Sequence, residues 1–204
     1  MFALVDKSDN SITRMLSGSQ GITLDGIQHP KAIFSLWTEA ERNAINIYTV
    51  EMDNSKRKNT EWYVNTNVTY SFNGSKVTGS YGDATARAHA DTLFTAQDES
   101  DGKGTEGDVK DEGLKTKLIR SIKSQAEGEL NKTDWYITRK AEKDTAIPSA
   151  VSTHRDAVRS KQAEMETAIT NASDTPALET LYTYTTQEDG STTRPLGELP
   201  TKDF

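Results

Sequence analysis

The stretch from Gln97 to Gly113 constrains this chain more than any other. It holds Asp98, Glu99, Asp101, Glu106, Asp108, Asp111 and Glu112 against only Lys103 and Lys110, carries several glycines, and offers Val109 as its one large apolar side chain. Such a segment buries too little to offset the entropy of ordering it. The sequence therefore predicts a flexible acidic linker over residues 96–113, with different patterning on either side. Before it lie the aromatic and β-branched runs of strands, and after it apolar residues recur at helical spacing. The expected fold class is α+β: a small antiparallel β module with short helices at 1–95, a C-terminal helical hairpin module at 114–182, and an extended tail at 183–204. A hydrophobic fraction of 33% over 204 residues, with mean hydropathy -0.72, favours two small modules over one large core. Partner surfaces are then expected to supply part of the stability.

In the front module, Phe2 to Val5 and Ile12 to Leu16 flank the turn-forming Asp9-Asn10, which reads as a hairpin. A loop containing Gly18, Gly21, Gly26 and Pro30 follows. Thr38-Glu39-Ala40-Glu41 has capping-box spacing and predicts a short helix ending near Asn43 or Ala44. From Ile45 to Met52 apolar groups alternate onto both faces, as in a central strand. Glu61 to Phe72 and Lys76 to Tyr81 predict a second hairpin around Asn73-Gly74, the pair that suits a type I′ turn. The alanine-rich run from Asp83 to Phe94 predicts a helix. In the back module, Leu114, Leu118, Ile119, Ile122, Ala126 and Leu130 share one helical face, with Lys115, Lys117, Arg120 and Lys123 on the other. Asn131 to Thr145 reads as a polar connector. Ile147-Pro148 opens a second helix running to Asn171 or Ala172, whose apolar residues form no single clean stripe, and Asp174 or Thr175 caps a last turn from Pro176 to Tyr182. The polar tail beyond is expected to order only against a partner.

A formal net charge of -7 and a pI near 5.1 argue against nucleic-acid binding, which draws on excess Lys and Arg. There is no cysteine, hence no disulfide, thiolate nucleophile or cysteine zinc site. The N-terminus reaches Asp6 before any signal-peptide core develops, and no run is long enough to span a bilayer, so a soluble chain without membrane partners is expected. His29, His89 and His154 show no metal-ligand spacing, and no Gly-x-Ser-x-Gly elbow occurs. Gly102-Lys103-Gly104-Thr105 lacks the strand and helix context of a phosphate loop. The acidic stretch lacks the ligand order of a calcium loop, leaving cation binding there a minor hypothesis for calorimetric titration. Neither a catalytic constellation nor a cofactor or metal site is expected. Trp62, Tyr63 and Tyr70 admit a sugar-stacking reading beside the commoner one of packing.

The candidate site lies in the back module. Asp134 is placed to cap a turn, Trp135 to lie across the crossing of two helices with Tyr136 beside it, and Arg155 and Arg159 stand four residues apart on one helical face. Two guanidiniums so spaced can fork onto a carboxylate or onto carbonyls. They could dock a partner, or simply staple the helix to its neighbour.

The segment Leu130-Asn131-Lys132-Thr133-Asp134-Trp135, followed by His154-Arg155-Asp156-Ala157-Val158-Arg159, resembles a module of tailed-bacteriophage tail proteins, the tail-fibre assembly or tail assembly chaperone group. There a helix, a Thr-Asp-Trp turn and a second helix bearing Tyr-Arg-x-x-Leu-Arg follow one another. Here His154 replaces the tyrosine and Val158 the leucine. The likeness covers roughly residues 114–169. His29-Pro30 through Phe34, Trp37 to Arg42 and Ile47-Tyr48 are more loosely similar to the front module of such proteins. The resemblance implies a non-enzymatic structural component of a phage tail, baseplate or tail fibre, made in the host cytoplasm and carried in the virion. Its partners would be other tail or fibre proteins, in a homo- or hetero-oligomer. A tail-fibre assembly chaperone and a carbohydrate-binding host-recognition module are the alternatives.

Overall fold

The computed structural model describes residues 1–204 and divides into two compact units, Met1–Thr85 and Ala86–Phe204. The first is built on a five-stranded sheet. Its strands are β1 (Phe2–Asp6), β2 (Ser11–Leu16), β5 (Ile47–Asp53), β7 (Thr69–Phe72) and β8 (Val77–Ser80), in the order β2-β1-β5-β8-β7. β5 is central, as its two-faced apolar pattern predicts. The sheet is mixed where an antiparallel module was expected, because β5 and β8 run parallel, with Val50 opposite Val77. The long excursion from Asn54 to Asn67, with the short strand β6 (Tyr63–Val64), returns the chain to the far edge before β8 enters beside β5. A tight hairpin cannot make that connection.

Alternation decides the two faces of this sheet. Ala3, Val5 and Tyr48 pack with Val77, Phe72 and Met15, so the sheet curls enough to bring residues of both edge strands into one cluster. Phe2, Leu4 and Ile47 face the other way. There they meet Ile22, Ile33, Phe34 and Trp37 from the hairpin β3 (Ile22–Leu24) and β4 (Ile27–His29) and from helix α1 (Ile33–Leu36). Helix α2 (Glu39–Ala44) starts as predicted: the Thr38 amide donates to Glu41 Oε2 at 2.7 Å and the Glu41 amide to Thr38 Oγ1 at 3.3 Å. Two turns differ from expectation. Asp25-Gly26, inside the segment read as loop, has both residues at positive φ and makes the β3–β4 hairpin. Asn73 instead works through its side chain, whose Oδ1 accepts from the Ser75 and Lys76 amides.

The second unit overturns two expectations at once. Residues 83–94 form no helix. They run extended, with the short strands β9 (Thr85–Ala86) and β10 (Thr92–Leu93), because helix α4 (Leu114–Asn131) claims their polar groups. The Ala88 and His89 carbonyls accept from the Leu114 and Lys115 amides at 2.9 Å, and Asp91 accepts from the Gly113 amide and the Thr116 hydroxyl at 2.7 Å. These satisfy first-turn amides that alanine's helix propensity would have left bare. Bonding to Thr116, then to Gly113, lowers the Asp91 carboxyl below its ordinary range. The approach is close enough that a Cβ on Gly113 would clash with the Ala90 carbonyl.

The acidic stretch is a folded lobe rather than a flexible linker. Thr95 and Asp98 form a capping box for α3 (Ala96–Ser100), and β10 pairs antiparallel with β11 (Val109–Asp111). Phe94, at the end of the segment expected to be helical, is the pivot. Its amide donates to the Asp108 carbonyl, its carbonyl accepts from Gly107, its ring leaves no room for a side chain at Gly104, and Lys110 lies 5.7 Å from its centre. The boundary between units therefore falls at 85/86.

Helices α4 and α6 (Ser149–Asn171) pack along their lengths through Ile122, Ala126, Val151, Val158, Met165 and Ile169. Between them Asp134–Lys143 forms helix α5 in place of a polar connector, closed by Asp144 in the left-handed region. Helix α7 (Thr175–Tyr182) is capped by Asp174, which accepts from the Ala177 amide at 2.8 Å. The tail orders on its own unit, contrary to expectation. It carries the short hairpin β12 (Thr185–Thr186) and β13 (Thr192–Thr193), after which Leu196 is buried with its amide on the Leu181 carbonyl. Arg194 lies over Tyr182 and Tyr184 and donates to the Gly197 carbonyl and to Glu198.

Candidate functional site

The helix α6 stripe becomes regular once polar residues are counted in it. Val151, His154, Arg155, Val158, Met165 and Ile169 are all buried, at intervals that keep to one helical face. Read for apolar residues alone, the stripe has a gap where His154 and Arg155 stand. The gap is the site.

Arg155 is 8% exposed and reaches across to the junction of α4 and α5. Its Nη1 shares two N–H groups among three acceptors, the Leu130 carbonyl at 2.8 Å, Thr133 Oγ1 at 2.8 Å and Asp134 Oδ1 at 2.7 Å. The junction is built to receive it. Thr133 is fully buried, its amide and hydroxyl both donate to Leu130, and its carbonyl accepts from the Tyr136 amide, so the last turn of α4 passes directly into the first turn of α5. A guanidinium there sits at the carboxyl end of α4, where the helix dipole favours a cation, and beside the Asp134 carboxylate. Such charge-assisted bonds contribute on the order of 1.5–3 kcal/mol each before the cost of burying the cation. Beside it the His154 ring packs 5.2 Å from the Phe204 ring, with no hydrogen-bond partner at its buried Nε2.

The five singled-out residues separate into two sets. Asp134 and Arg155 form the internal tie. Arg159 does not join it; exposed, it lies 3.5 Å from Asp156 on its own helix. Trp135 does not cover a helix crossing, being 51% exposed. Its ring stacks on Tyr136 with centroids 3.9 Å apart, and the Arg139 guanidinium lies 4.6 Å from the Trp135 centroid and 5.2 Å from that of Tyr136. Ile137 is also 41% exposed but, two residues on, lies on the other side of the helix from Trp135. Arg139 was missed because residues 131–145 read as a connector, although Trp135, Arg139 and Lys143 already stand at i, i+4 and i+8.

The remaining candidates fare differently. Trp62 and Tyr63 are buried, so they do not offer the sugar-stacking face considered for them with Tyr70. In the acidic lobe Asp98 accepts from Thr95 and Lys110, Asp101 from Gln97 and Lys103, and Glu99 from the Glu106 amide. Those oxygens face donors of the chain itself. The Thr95 amide, the Lys110 ammonium and the Thr95 hydroxyl together hold the Asp98 carboxyl down to about 2. No group of three or more His, Asp or Glu side chains converges as a metal site would need. His29 stacks edge-on against Trp37, in the other unit from His89 and His154. No helix is long and apolar enough to cross a membrane.

Comparison with protein-family models, with curated proteins and with solved structures finds no match.

Proposed function

We propose that this chain is a non-catalytic structural component of a tailed-phage virion, associated with the tail, baseplate or tail fibre, and that its back unit docks other tail proteins through the outer face of α5. One observation carries the docking reading. Arg155 spends its bonds inside the fold, on Leu130, Thr133 and Asp134, while the adjacent Trp135 is left exposed, stacked with half-buried Tyr136 under Arg139. Aromatic residues and arginine are the side chains most enriched at interface centres. A contiguous aromatic face on a helix already fixed by an internal tie is preorganised for binding. The likeness of the Thr133-Asp134-Trp135 and Arg155 segment to phage tail modules supplies the biological setting.

The reading is tested with the virion and with one variant. Mass spectrometry of purified particles should find the chain at a fixed ratio to the other tail proteins. W135A should fold with an unchanged thermal midpoint and fail to incorporate. A chain that is absent from mature particles, yet binds unassembled fibres, would instead identify an assembly chaperone.

A further inference from the structure

Two hairpin turns of the chain are built alike. Asn73-Gly74-Ser75 joins β7 to β8 and Asp189-Gly190-Ser191 joins β12 to β13, each with its glycine in the left-handed region, at φ +93° and +81°. In the second turn Asp189 Oδ1 accepts from the Ser191 amide at 2.9 Å and from its hydroxyl at 2.7 Å. The hydroxyl, then the amide, lowers the Asp189 carboxyl below its ordinary range, so donors in this position favour negative charge on the oxygen they hold. In the first turn that oxygen belongs to an amide. Asn73 Oδ1 accepts from the Ser75 amide at 3.0 Å, the Ser75 hydroxyl at 2.9 Å and the Lys76 amide at 2.9 Å, while the exposed Nδ2 donates to nothing. The glycines differ as well. The Gly190 amide is bonded to the Gln187 carbonyl at 3.0 Å, whereas the Gly74 amide has no acceptor and the space about its Cα is open.

Donors converging on a carbonyl oxygen are the arrangement that stabilises an oxyanion in acyl transfer. Asparagine is chemically labile, and a following glycine, lacking a Cβ, leaves its own nitrogen unshielded. Asn73-Gly74 is the sequence's one Asn-Gly pair. We propose that Asn73 is a self-modification site, at which the turn's own donors promote deamidation to aspartate. Hydroxide removes the Gly74 amide proton, and the electron pair of that nitrogen forms a bond to Asn73 Cγ. Negative charge gathers on Oδ1, under Ser75 and Lys76. The Cγ–Nδ2 bond then breaks, and Nδ2 leaves as ammonia, taking a proton from water and leaving a succinimide. Water adds to the same Cγ, again with the charge on Oδ1, breaks its bond to the Gly74 nitrogen and returns a proton to that nitrogen. Because the donors sit on the Cγ oxygen, ring opening gives aspartate in preference to isoaspartate, which would carry an extra methylene into the backbone between the paired Phe72 and Val77. Asp189 holds the turn that the product would form.

The test holds the full chain at mildly alkaline pH, either folded or unfolded in guanidinium chloride. Tryptic peptides are followed by chromatography and mass spectrometry that separate asparagine, aspartate and isoaspartate. Asn73 should convert roughly threefold to tenfold faster in the folded chain than in the unfolded one, mainly to aspartate, while the other asparagines stay unchanged over the same time. Ser75→Ala removes the hydroxyl donor and should slow the folded reaction roughly threefold, with little effect on the unfolded rate. Asn73→Asp should keep the thermal midpoint of the wild type. If S75A melts early, the ratio of folded to unfolded rates in the wild type decides alone. A folded chain that deamidates no faster than the unfolded one, that yields mostly isoaspartate, or that keeps its rate in a well-folded S75A would overturn the proposal. The turn would then shield Asn73 rather than activate it.

Discussion

Helices α5 and α6 invert each other. Helix α6 buries a histidine and an arginine, and α5 exposes a tryptophan and an isoleucine. On α6 the polar groups are held by specific acceptors, so burial follows from bonding geometry rather than hydrophobicity. On α5 the apolar groups have no part of their own unit to cover them. The contrast separates what the fold needs from what it leaves available, and substitution should report the difference as a gradient.

The largest effect should come from the apolar part of the α6 stripe. Ile169→Ala removes a fully buried side chain between packed helices and should cost about 3–4 kcal/mol by urea unfolding. Arg155→Met keeps volume but removes the cation that Asp134 and the Thr133 hydroxyl face, while the Leu130 carbonyl keeps its bonds from Thr133. A loss of roughly 2–3 kcal/mol is expected. A neutral result would show that α6 tolerates an apolar residue there and that the tie contributes nothing to stability. Thr133→Val removes one acceptor for Arg155 and one hydroxyl bond to Leu130, and should cost about 1 kcal/mol. Trp135→Ala should change stability by less than about 0.5 kcal/mol, as for a surface site. It should also remove the tryptophan most accessible to a soluble quencher, since Trp62 is buried. A large loss of stability in W135A would close the gap between the two helices and return Trp135 to the core.

The acidic lobe sharpens the comparison from the other side, since it is ordered by polar contacts with little apolar burial. Asp98 has its carboxyl lowered to about 2 by Thr95 and Lys110. A depressed folded value contributes stability in full above the unfolded value near 4 and loses it as pH falls toward 2. Amide exchange at Phe94 and Lys103 should therefore accelerate between pH 4 and 2 beyond the change in the α4–α6 core. Equal behaviour in both places would mean that the lobe opens only with the whole unit.

Much of the architecture was legible from local chemistry. The α+β class, the β1–β2 hairpin, the Thr38/Glu41 box, central β5, the apolar face of α4 and the Pro148 start of α6 follow from periodicity and caps within a few residues. The site was half legible. Asp134 and Arg155 stand out as a turn acid and a helical cation, but their pairing spans 21 residues of sequence and depends on the packing of α4 against α6.

The acidic stretch that most constrained the reading is where sequence and tertiary structure part. Its composition determined that it could not build an apolar core, and it does not. Tertiary structure decided that it is ordered nonetheless, because Phe94 and Lys110 gather its amides and carboxylates, and because α4 needed the neighbouring carbonyls of Ala88 and His89. Composition reports how much apolar surface a segment can bury. Only the folded chain settles which distant donors and acceptors its polar groups will meet.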